Sequence, residues 1–184
     1  MTARTSRTDW CNAGLMILRE QGHQALTLDD LCKAIGKTKG SFYHHFVDIG
    51  ALHSAVIEAW TDAHTERPIE LASSAKNVAA RLDQVVHALD HAVDRSMRAW
   101  ALYDEAARRA VKRVDRRRIE FLSQLHREAG HRDPELLAEL EYVAFLGAQQ
   151  IDAFTKRSRA VQLRHAMTRA LTLLANDAPD RQAK

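Results

Sequence analysis

Apolar residues along the chain recur mainly at intervals of three and four positions, which is the spacing of one face of an α-helix. Residues 6–21 show this stripe in Trp10, Ala13 and Ile17, and Gly22 follows as a helix stop. Downstream, the same spacing predicts helices near residues 75–95, 97–108, 110–129, 134–155 and 158–176. The pattern therefore predicts an all-α protein.

Two short helical segments follow the first one in quick succession. Thr27 is placed as the N-cap of a helix that ends at Gly36, and Thr38 is placed as the N-cap of the next helix. That third segment reads "KGSFYHHF" and spans residues 39–46. A helix, a glycine stop and an immediate second cap predict a tight helix-turn-helix.

A longer fourth helix is predicted to begin at Asp48. The polar stretch "HTER" precedes Pro68, and we interpret it as a loop and as the seam between two parts of the chain. The pattern thus divides the chain into a three-helix module in residues 1–47, a connecting fourth helix in residues 48–66 and a helical domain in residues 67–184.

The composition supports a helical protein with a substantial core. Apolar residues make up 46% of the 184 positions, with only 7 glycines and 3 prolines. No run approaches the roughly 18 apolar residues of a membrane span, and the N-terminus lacks the apolar stretch of a signal peptide. We expect a cytoplasmic protein without a membrane segment, in which Cys11 and Cys32 are reduced, buried thiols. The net charge of +3 permits binding to a polyanion without requiring it.

The third segment, with the turn before it, has an unusual mixture of residues. In "GKTKGSFYHHF", residues 36–46, Phe42 and Phe46 lie four positions apart and can anchor one face of a helix. Lysine, serine, tyrosine and histidine side chains then point elsewhere, where they can reach phosphate oxygens or base edges. Taken alone, such a face is as well explained by simple solvation. Its helix-turn-helix context and a basic N-terminal arm containing Arg4 and Arg7 favour a recognition helix for the DNA major groove.

The same stretch resembles the signature of TetR-type transcriptional regulators, which usually reads Gly-Val-Ser-Lys-Gly-Thr-Leu-Tyr-His-His-Phe. The upstream residues "WCNAGLMILREQGHQALTLDDLCKAIG" also have the apolar spacing of that family, its glycine after the first helix and its threonine before the second. The resemblance covers residues 4–65 in detail. It implies an N-terminal helix-turn-helix DNA-binding domain, followed by a C-terminal helical domain for ligand binding and dimerisation.

The resemblance also implies a function and a set of DNA-facing residues. Members are homodimers that place one such helix from each protomer in the major groove of a palindromic operator, and we expect a repressor of this kind. The residues implied to face double-stranded DNA are Thr27, Thr38, Lys39, Gly40, Ser41, Tyr43 and His44, and Lys37 is a further candidate by its charge. His45 is expected to pack against the module.

Several positions depart from the family pattern. Members often carry Lys-Glu at the start of the fourth helix, where the lysine contacts a phosphate. This chain has Ile49 and Gly50 there, which puts that phosphate contact in doubt. Lys37 stands where valine is usual, and its charge can replace the missing one. Gly14 stands in the first helix where alanine is common, and it is expected to cost about 0.5–1 kcal/mol of helix stability.

The last two predicted helices have the residues of an interface. Their apolar positions follow helical spacing, and small residues allow another helix to approach closely. An intramolecular core would explain the same pattern, but twofold pairing adds most to the specificity of a small DNA-reading module. The expected homodimer interface comprises Leu140, Ala144, Gly147, Ile151, Met167, Leu171 and Leu174.

The aromatic residues of the middle and late helices are the candidate lining of an effector pocket, which the resemblance implies. They are Trp60, Trp100, Tyr103, Phe121, Tyr142 and Phe145. For any single one of them, an ordinary core position is the favoured explanation. These residues do not indicate the chemical class of the effector.

Two further patterns are weaker. The basic run "RRAVKRVDRRR", residues 108–118, is interpreted as a solvated helix face rather than a phosphate-binding surface. In "HALDHAVD", four residues share the spacing of metal ligands on a face expected to be polar: His87, Asp90, His91 and Asp94. A bound metal needs a closed set of ligands. We therefore expect neither a metal nor a cofactor. No catalytic motif is evident, so we do not expect the protein to be an enzyme. The alternatives are a helical enzyme that uses His87 and its neighbours, and an adaptor protein that does not bind DNA.

Overall fold

The computed structural model describes residues 5–75 and 77–151, together with residues 162, 163, 166, 167, 169, 170 and 173. Within these residues the chain is helical and contains no strand, as the apolar spacing predicts. The α-helices are α1 (Arg7–Gln21), α2 (Leu28–Ile35), α3 (Lys39–Tyr43), α4 (Ile49–Thr61), α5 (Arg67–Ala72), α6 (Val78–Ala88), α7 (His91–Trp100), α8 (Glu105–Glu128) and α9 (Pro134–Gln150). A 3₁₀ turn, His23–Ala25, precedes α2.

The predicted helix boundaries of the N-terminal module are confirmed by hydrogen bonds. The hydroxyls of Thr27 and Thr38 accept from backbone N–H groups three residues later, at 3.2 and 3.3 Å, and Asp48 caps α4 in the same way at 2.7 Å. Gly22 and Gly36 have φ angles of 80° and 66°, a left-handed region that favours glycine. Helices α2, α3 and α4 therefore begin at the predicted caps, and α1 and α2 stop at the predicted glycines.

Three expectations about helix extent were wrong. The third helix ends at Tyr43, because the N–H groups of His45 and Phe46 both turn back to the carbonyl of Phe42. The helices expected over residues 75–95 and 97–108 are broken instead at Asp90 and Asp104. Both aspartates accept backbone N–H groups of the helix that follows them, so each residue ends one helix by capping the next.

The expected loop "HTER" is also helical. Asp62–Glu66 forms a π-helical turn that connects α4 directly to α5. The N–H of Arg67 donates to the carbonyl of Asp62, five residues back. Pro68 has no N–H and would clash with the carbonyl four residues earlier in a regular α-helix, and the wider turn accommodates it. The polar residues that resemble a loop in the sequence are in part buried, since His64 and Thr65 face the interior.

The chain divides into two compact units. The first contains the described residues up to 71 together with residues 85–114, and the second contains residues 72–84 and the described residues from 115 onward. The first unit thus extends beyond the three-helix module of residues 1–47, because α4, α7 and the beginning of α8 share its apolar core. Its buried aromatic and aliphatic members include Trp10, Leu18, Phe42, Val56, Trp60, Met97, Trp100 and Val114.

Within this core, α1 and α4 approach each other closely at Gly14. A Cβ atom added at this position would lie 2.6 Å from Cγ2 of Val56 and 3.4 Å from Cδ1 of Leu26. Val56 is fully buried and β-branched, so it has little freedom to move aside. The glycine that is unfavourable for the isolated helix is therefore required by the packing.

We expect Gly14→Ala to lower the free energy of unfolding by about 1–2 kcal/mol, although alanine favours a helix. Overpacking costs about 1–3 kcal/mol, which exceeds the gain of about 1 kcal/mol in helix propensity. Urea denaturation would measure the change. Gly40→Ala is the matched control, because its added Cβ makes only an ordinary 3.7 Å contact with Thr38. A stabilised Gly14→Ala variant would contradict the prediction.

The second unit is organised around Tyr142 of α9. Tyr142 packs with Leu122 and Ala138, and its hydroxyl donates to a carboxylate oxygen of Asp115 at 2.6 Å. An ion pair between Arg81 and Glu128 links α6 to α8 within this unit. Among the described helices, none is both long and apolar enough to cross a membrane.

Candidate nucleic-acid interface

One face of α3 is fixed to the core of the first unit. Phe42 is fully buried; its ring meets the edge of Trp10 at 5.4 Å between centroids and stacks on Phe46 at 5.4 Å. Tyr43, the next residue, is 58% exposed and touches Phe42 edge-on. The helix is thus held rigidly by one apolar side chain while the neighbouring side chains face solvent.

The structure brings the predicted DNA-facing residues together on α2, α3 and the turn between these helices. Six of them are exposed, namely Thr27, Thr38, Lys39, Gly40, Tyr43 and His44, and Lys37 and Ser41 are half-buried. The hydroxyl of Thr27 also donates to Asp30 at 2.7 Å. The side chains of Thr27 and Thr38 are therefore engaged in capping the N-termini of α2 and α3.

The basic N-terminal arm is only partly as expected. Arg7 lies over the ring of Phe46, 4.5 Å from its centroid, and donates to the carbonyl of His45 at 3.3 Å. This arginine therefore stabilises the chain immediately after α3. His45 is half-buried in the module. Arg4 lies outside the described residues.

The start of α4 differs from a phosphate-binding site. Ile49 is half-buried and packs against the core of the first unit. Gly50 follows the capping residue Asp48. This position therefore supplies no cation.

Asp29 of α2 pairs with Lys39, the first residue of α3. The Lys39 Nζ lies 2.6 Å from an Asp29 carboxylate oxygen, and this contact raises the pKa of Lys39 above its usual value. Sequence reasoning missed this pair, because it placed Asp29 only as a first-turn acid of α2. The pair joins residues ten positions apart on two helices, which helical periodicity does not reveal.

The comparison with protein families finds a match in the N-terminal helices. Residues 11–56 match the profile described as bacterial regulatory proteins, tetR family. This match spans α1 to α4, including the whole helix-turn-helix. The match to the tetR family thus covers the N-terminal helices and not the remainder of the chain. The resemblance to TetR-type regulators in "GKTKGSFYHHF" is therefore confirmed.

Solved structures show that the TetR fold extends over nearly the whole chain. A transcriptional regulator of the TetR/AcrR family matches with a TM-score of 0.73 at 20% identity, over 90% of this chain and 97% of the other. The reduced form of NemR from E. coli matches with a TM-score of 0.69 at 23% identity, over 88% and 94%. The regulatory protein TetR from Rhodobacter sphaeroides matches with a TM-score of 0.66 at 25% identity, also over 88% and 94%. No protein of curated function matches in sequence.

The TetR-type module is linked to α7 by buried polar contacts. The indole N–H of Trp60 donates to Asp94 at 2.9 Å, and the carboxylate is fully buried. Asp90 pairs with Arg19 of α1 at 3.0 Å, and its backbone N–H donates to the ring of His64 at 3.2 Å. These contacts attach α7 to both α1 and the α4–α5 segment.

The same contacts correct the interpretation of "HALDHAVD" as a polar face. Asp94 is directed into the core toward Trp60, and Asp90 caps α7. The four residues therefore do not form one solvent-facing set. In the part of the chain that the structure describes, no three His, Cys, Asp or Glu side chains are grouped to hold a metal ion.

The six candidate pocket aromatics fall into two separate groups. Trp60 and Trp100 are buried in the core of the first unit, and Tyr103 is exposed there, stacked on His23. In the second unit, Phe121 is buried and Tyr142 stacks on Phe145. A groove of about 420 Å³ beside α1 and α2, and another of about 620 Å³ between α8 and α9, are lined by other residues.

The residues predicted for the dimer interface are mostly exposed on α9. One face of this helix, including Leu137, Ala138 and Tyr142, is buried within the second unit. The opposite face is exposed and carries Leu136, Leu140, Val143, Ala144, Gly147 and Ile151, here called the α9 stripe. Met167 is half-buried and packs against Leu137 of the same chain. Leu171 and Leu174 lie outside the described residues.

The two cysteines have the environment of unreactive thiols. Cys11 is buried and Cys32 is half-buried, and neither forms a disulfide. Burial raises the pKa of both thiols, with smaller contributions from neighbouring charges. A raised pKa lowers the thiolate fraction at neutral pH, so these residues are poor nucleophiles.

The second unit contains a cluster of two histidines and a glutamate that the sequence did not predict. His126 of α8 is held at 2.9 Å by Glu141 through Nε2 and at 2.9 Å by Nδ1 of His131 through Nδ1. Burial, and then electrostatic repulsion between the two imidazoles of His126 and His131, lower the pKa of His131, while Glu141 opposes the shift. The three residues come from α8, the following loop and α9, so their sequence spacing gives no helical signal.

We expect this cluster to destabilise the protein on acidification. Because the pKa of His131 is lowered in the folded state, the unfolded chain binds the proton more readily once the pH falls below about 6.5. Stability that is present above that pH is then lost progressively. Urea denaturation at pH 7.5 and 5.5, at fixed protein concentration, should show a smaller loss for His131→Gln than for wild type. His44→Gln, at an exposed site, is the control; equal losses in all three proteins would contradict the prediction.

Proposed function

We propose that this chain is a ligand-responsive repressor of the TetR type that binds a palindromic operator as a homodimer. The observation that carries the proposal is the rigid mounting of α3. Its apolar residue Phe42 is fully buried, while Lys39, Gly40, Tyr43 and His44 face solvent. A short helix presented in this way by a helix-turn-helix fits the DNA major groove.

In this proposal the exposed side chains have distinct roles. Lys39 and Ser41, at the start of α3, are the base readers, since the N-terminal residues of a recognition helix come nearest the base edges. Tyr43 and His44 contact the DNA backbone. Thr27 and Lys37 add phosphate contacts from the α2 cap and the turn. Gly40 lets the DNA approach closely, because it lacks a side chain.

The homodimer is supported by the α9 stripe. Leu136, Leu140 and Val143 are 50%, 41% and 66% exposed, and they continue along one helix face toward Ile151. Apolar residues in a contiguous exposed patch mark an interaction surface in most proteins. In such a dimer a twofold axis pairs the same surface of each protomer. The two recognition helices are then related by the same axis, so the operator they bind has two matching half-sites.

The ligand response is supported by the attachment of α7. Trp60 and His64 of the α4–α5 segment and Arg19 of α1 all contact Asp90 or Asp94 at the start of α7. An effector that displaces α7 would therefore bias the position of α1 and α4, which carry the recognition helix. The candidate aromatics of the first unit, Trp60, Trp100 and Tyr103, are proposed as the surroundings of that effector, whose chemical class is open.

The test starts from selection of operator DNA. The purified protein is used to enrich binding sequences from a random duplex pool, and fluorescence anisotropy then compares the selected duplex with a scrambled one at two salt concentrations. We expect a palindromic sequence whose binding weakens with salt. Enrichment of no sequence, with salt-insensitive binding, would refute the proposal.

We expect Tyr43→Ala to weaken binding to the selected DNA about 10-fold or more without loss of stability, because the side chain is exposed and packs only edge-on to Phe42. Anisotropy and thermal unfolding would measure the two effects. Tyr43→Phe is the matched control, since it retains the ring and removes only the hydroxyl. Wild-type affinity in Tyr43→Ala would exclude this residue from the interface.

A further inference from the structure

The ion pair between Asp29 and Lys39 lies among the residues proposed to meet DNA. Its atoms are 2.6 Å apart, yet both side chains are largely exposed, Lys39 at 61% and Asp29 at 77%. Asp29 stands two residues after Thr27, at the N-terminus of α2, where a phosphate contact is proposed. A carboxylate in this position opposes the approach of phosphate, so its presence on a DNA-facing surface requires an explanation.

The two acids of this turn are used differently. Asp30 is engaged locally, because it accepts the hydroxyl of Thr27. Asp29 instead reaches across to the next helix and holds the ammonium group of Lys39. Of the two, Asp29 is the acid whose contact spans α2 and α3.

We propose that Asp29 is a specificity-determining residue that withholds Lys39 from DNA phosphates and directs it to a base edge. The proposal rests on the DNA-binding function proposed above. The Lys39 ammonium has three hydrogens, of which the pair with Asp29 uses one. The others can be donated to acceptors such as O6 and N7 of guanine while the pair persists.

The strength of the pair is suited to this role. Exposed ion pairs are weak, and their typical contribution corresponds to less than about fivefold in an equilibrium constant. A phosphate of any DNA can therefore take Lys39 away from Asp29. Breaking the ion pair costs a small amount of binding free energy, and this cost is the same for every DNA sequence. At the operator, a base contact made without breaking the pair avoids that cost. Asp29 thus lowers non-specific affinity more than operator affinity.

The test compares Asp29→Asn with wild type on the selected and scrambled duplexes. We expect the affinity for scrambled DNA to rise about 3–5-fold, because the freed lysine gains a phosphate. The dependence of log K on log salt should steepen by about 0.9 for each added phosphate contact. Operator affinity should stay constant or fall, so the ratio of the two affinities should fall at least about threefold.

Two further variants test whether the effect passes through Lys39. In a Lys39→Met background, Asp29→Asn should leave the ratio unchanged, and the salt slope on scrambled DNA remains measurable through the other contacts. Asp29→Glu keeps the carboxylate and should retain the ratio. Asp62→Asn is the matched control, since it breaks another exposed 2.6 Å pair, with Arg67, in the α4–α5 segment.

The outcomes separate this inference from the proposed function. If Asp29→Asn strengthens binding to both duplexes equally, or acts equally in the Lys39→Met background, the residue is only a general negative charge and the inference is overturned. If wild type selects an operator and Asp29→Asn matches it on both duplexes, the inference alone fails. If wild type selects no DNA, the proposed function fails first.

Discussion

Replacing Phe42 with alanine is expected to lower the free energy of unfolding by about 3–5 kcal/mol. The ring is fully buried and contacts Trp10 edge-on and Phe46 face-on, so the substitution removes a large apolar surface and leaves a cavity. The backbone has little freedom to relax around this cavity, because the carbonyl of Phe42 accepts the N–H groups of His45 and Phe46. Helix α3 would lose its buried apolar anchor.

Urea denaturation followed by circular dichroism would measure the effect of Phe42→Ala on stability. Phe42→Leu retains most of the apolar volume and should cost clearly less, whereas Tyr43→Ala, at the adjacent exposed position, should change stability by no more than about 0.5 kcal/mol. Operator affinity should fall in Phe42→Ala even at temperatures where the chain remains folded. A loss of less than about 1 kcal/mol would contradict the assigned role of Phe42.

Placing glutamates at both Leu140 and Val143 is expected to convert a homodimer to a monomer and to weaken operator binding at least about 100-fold. The two positions lie in the α9 stripe, where a twofold axis would bring equivalent residues of the two protomers together. Charged groups buried there without partners carry a desolvation cost of several kcal/mol. Each monomer would then bind a single half-site.

Analytical ultracentrifugation and anisotropy would follow the double variant. Leu102→Glu is the control, because Leu102 is an exposed leucine in the first unit and outside the α9 stripe. The folded state of the double variant should persist, since Leu140 and Val143 are already exposed. An unchanged sedimentation coefficient would place the dimer interface elsewhere or show that the protein binds DNA as a monomer.

The sequence by itself determined the features that depend on local interactions. Thr27, Thr38 and Asp48 begin their helices because a short polar side chain can bond the free N–H groups of the first turn. Gly36 ends α2 because a left-handed residue is needed there. Caps, stops and apolar spacing lie within a few residues of one another, so the all-α class, the helix-turn-helix and the resemblance to TetR-type regulators were all visible in the sequence.

Periodicity failed where a polar residue caps or enters the interior. Asp90 and Asp104 lie within predicted helical patterns, and only the structure shows that each one starts a new helix. "HTER" looks like a loop by composition, yet its His64 and Thr65 are buried in a π-helical turn. In both cases the neighbouring elements, rather than local propensity, decide the conformation.

Only the tertiary structure decided which helices meet and at what distance. Gly14 is a defect in an isolated helix but a requirement beside Val56, because α1 and α4 approach too closely for a Cβ atom. Asp29 reaches Lys39, and His126 joins His131 and Glu141, across helix boundaries. A sequence pattern reports the face on which a residue lies on its own helix, whereas these contacts depend on how separate helices pack, and that packing is fixed by the whole core.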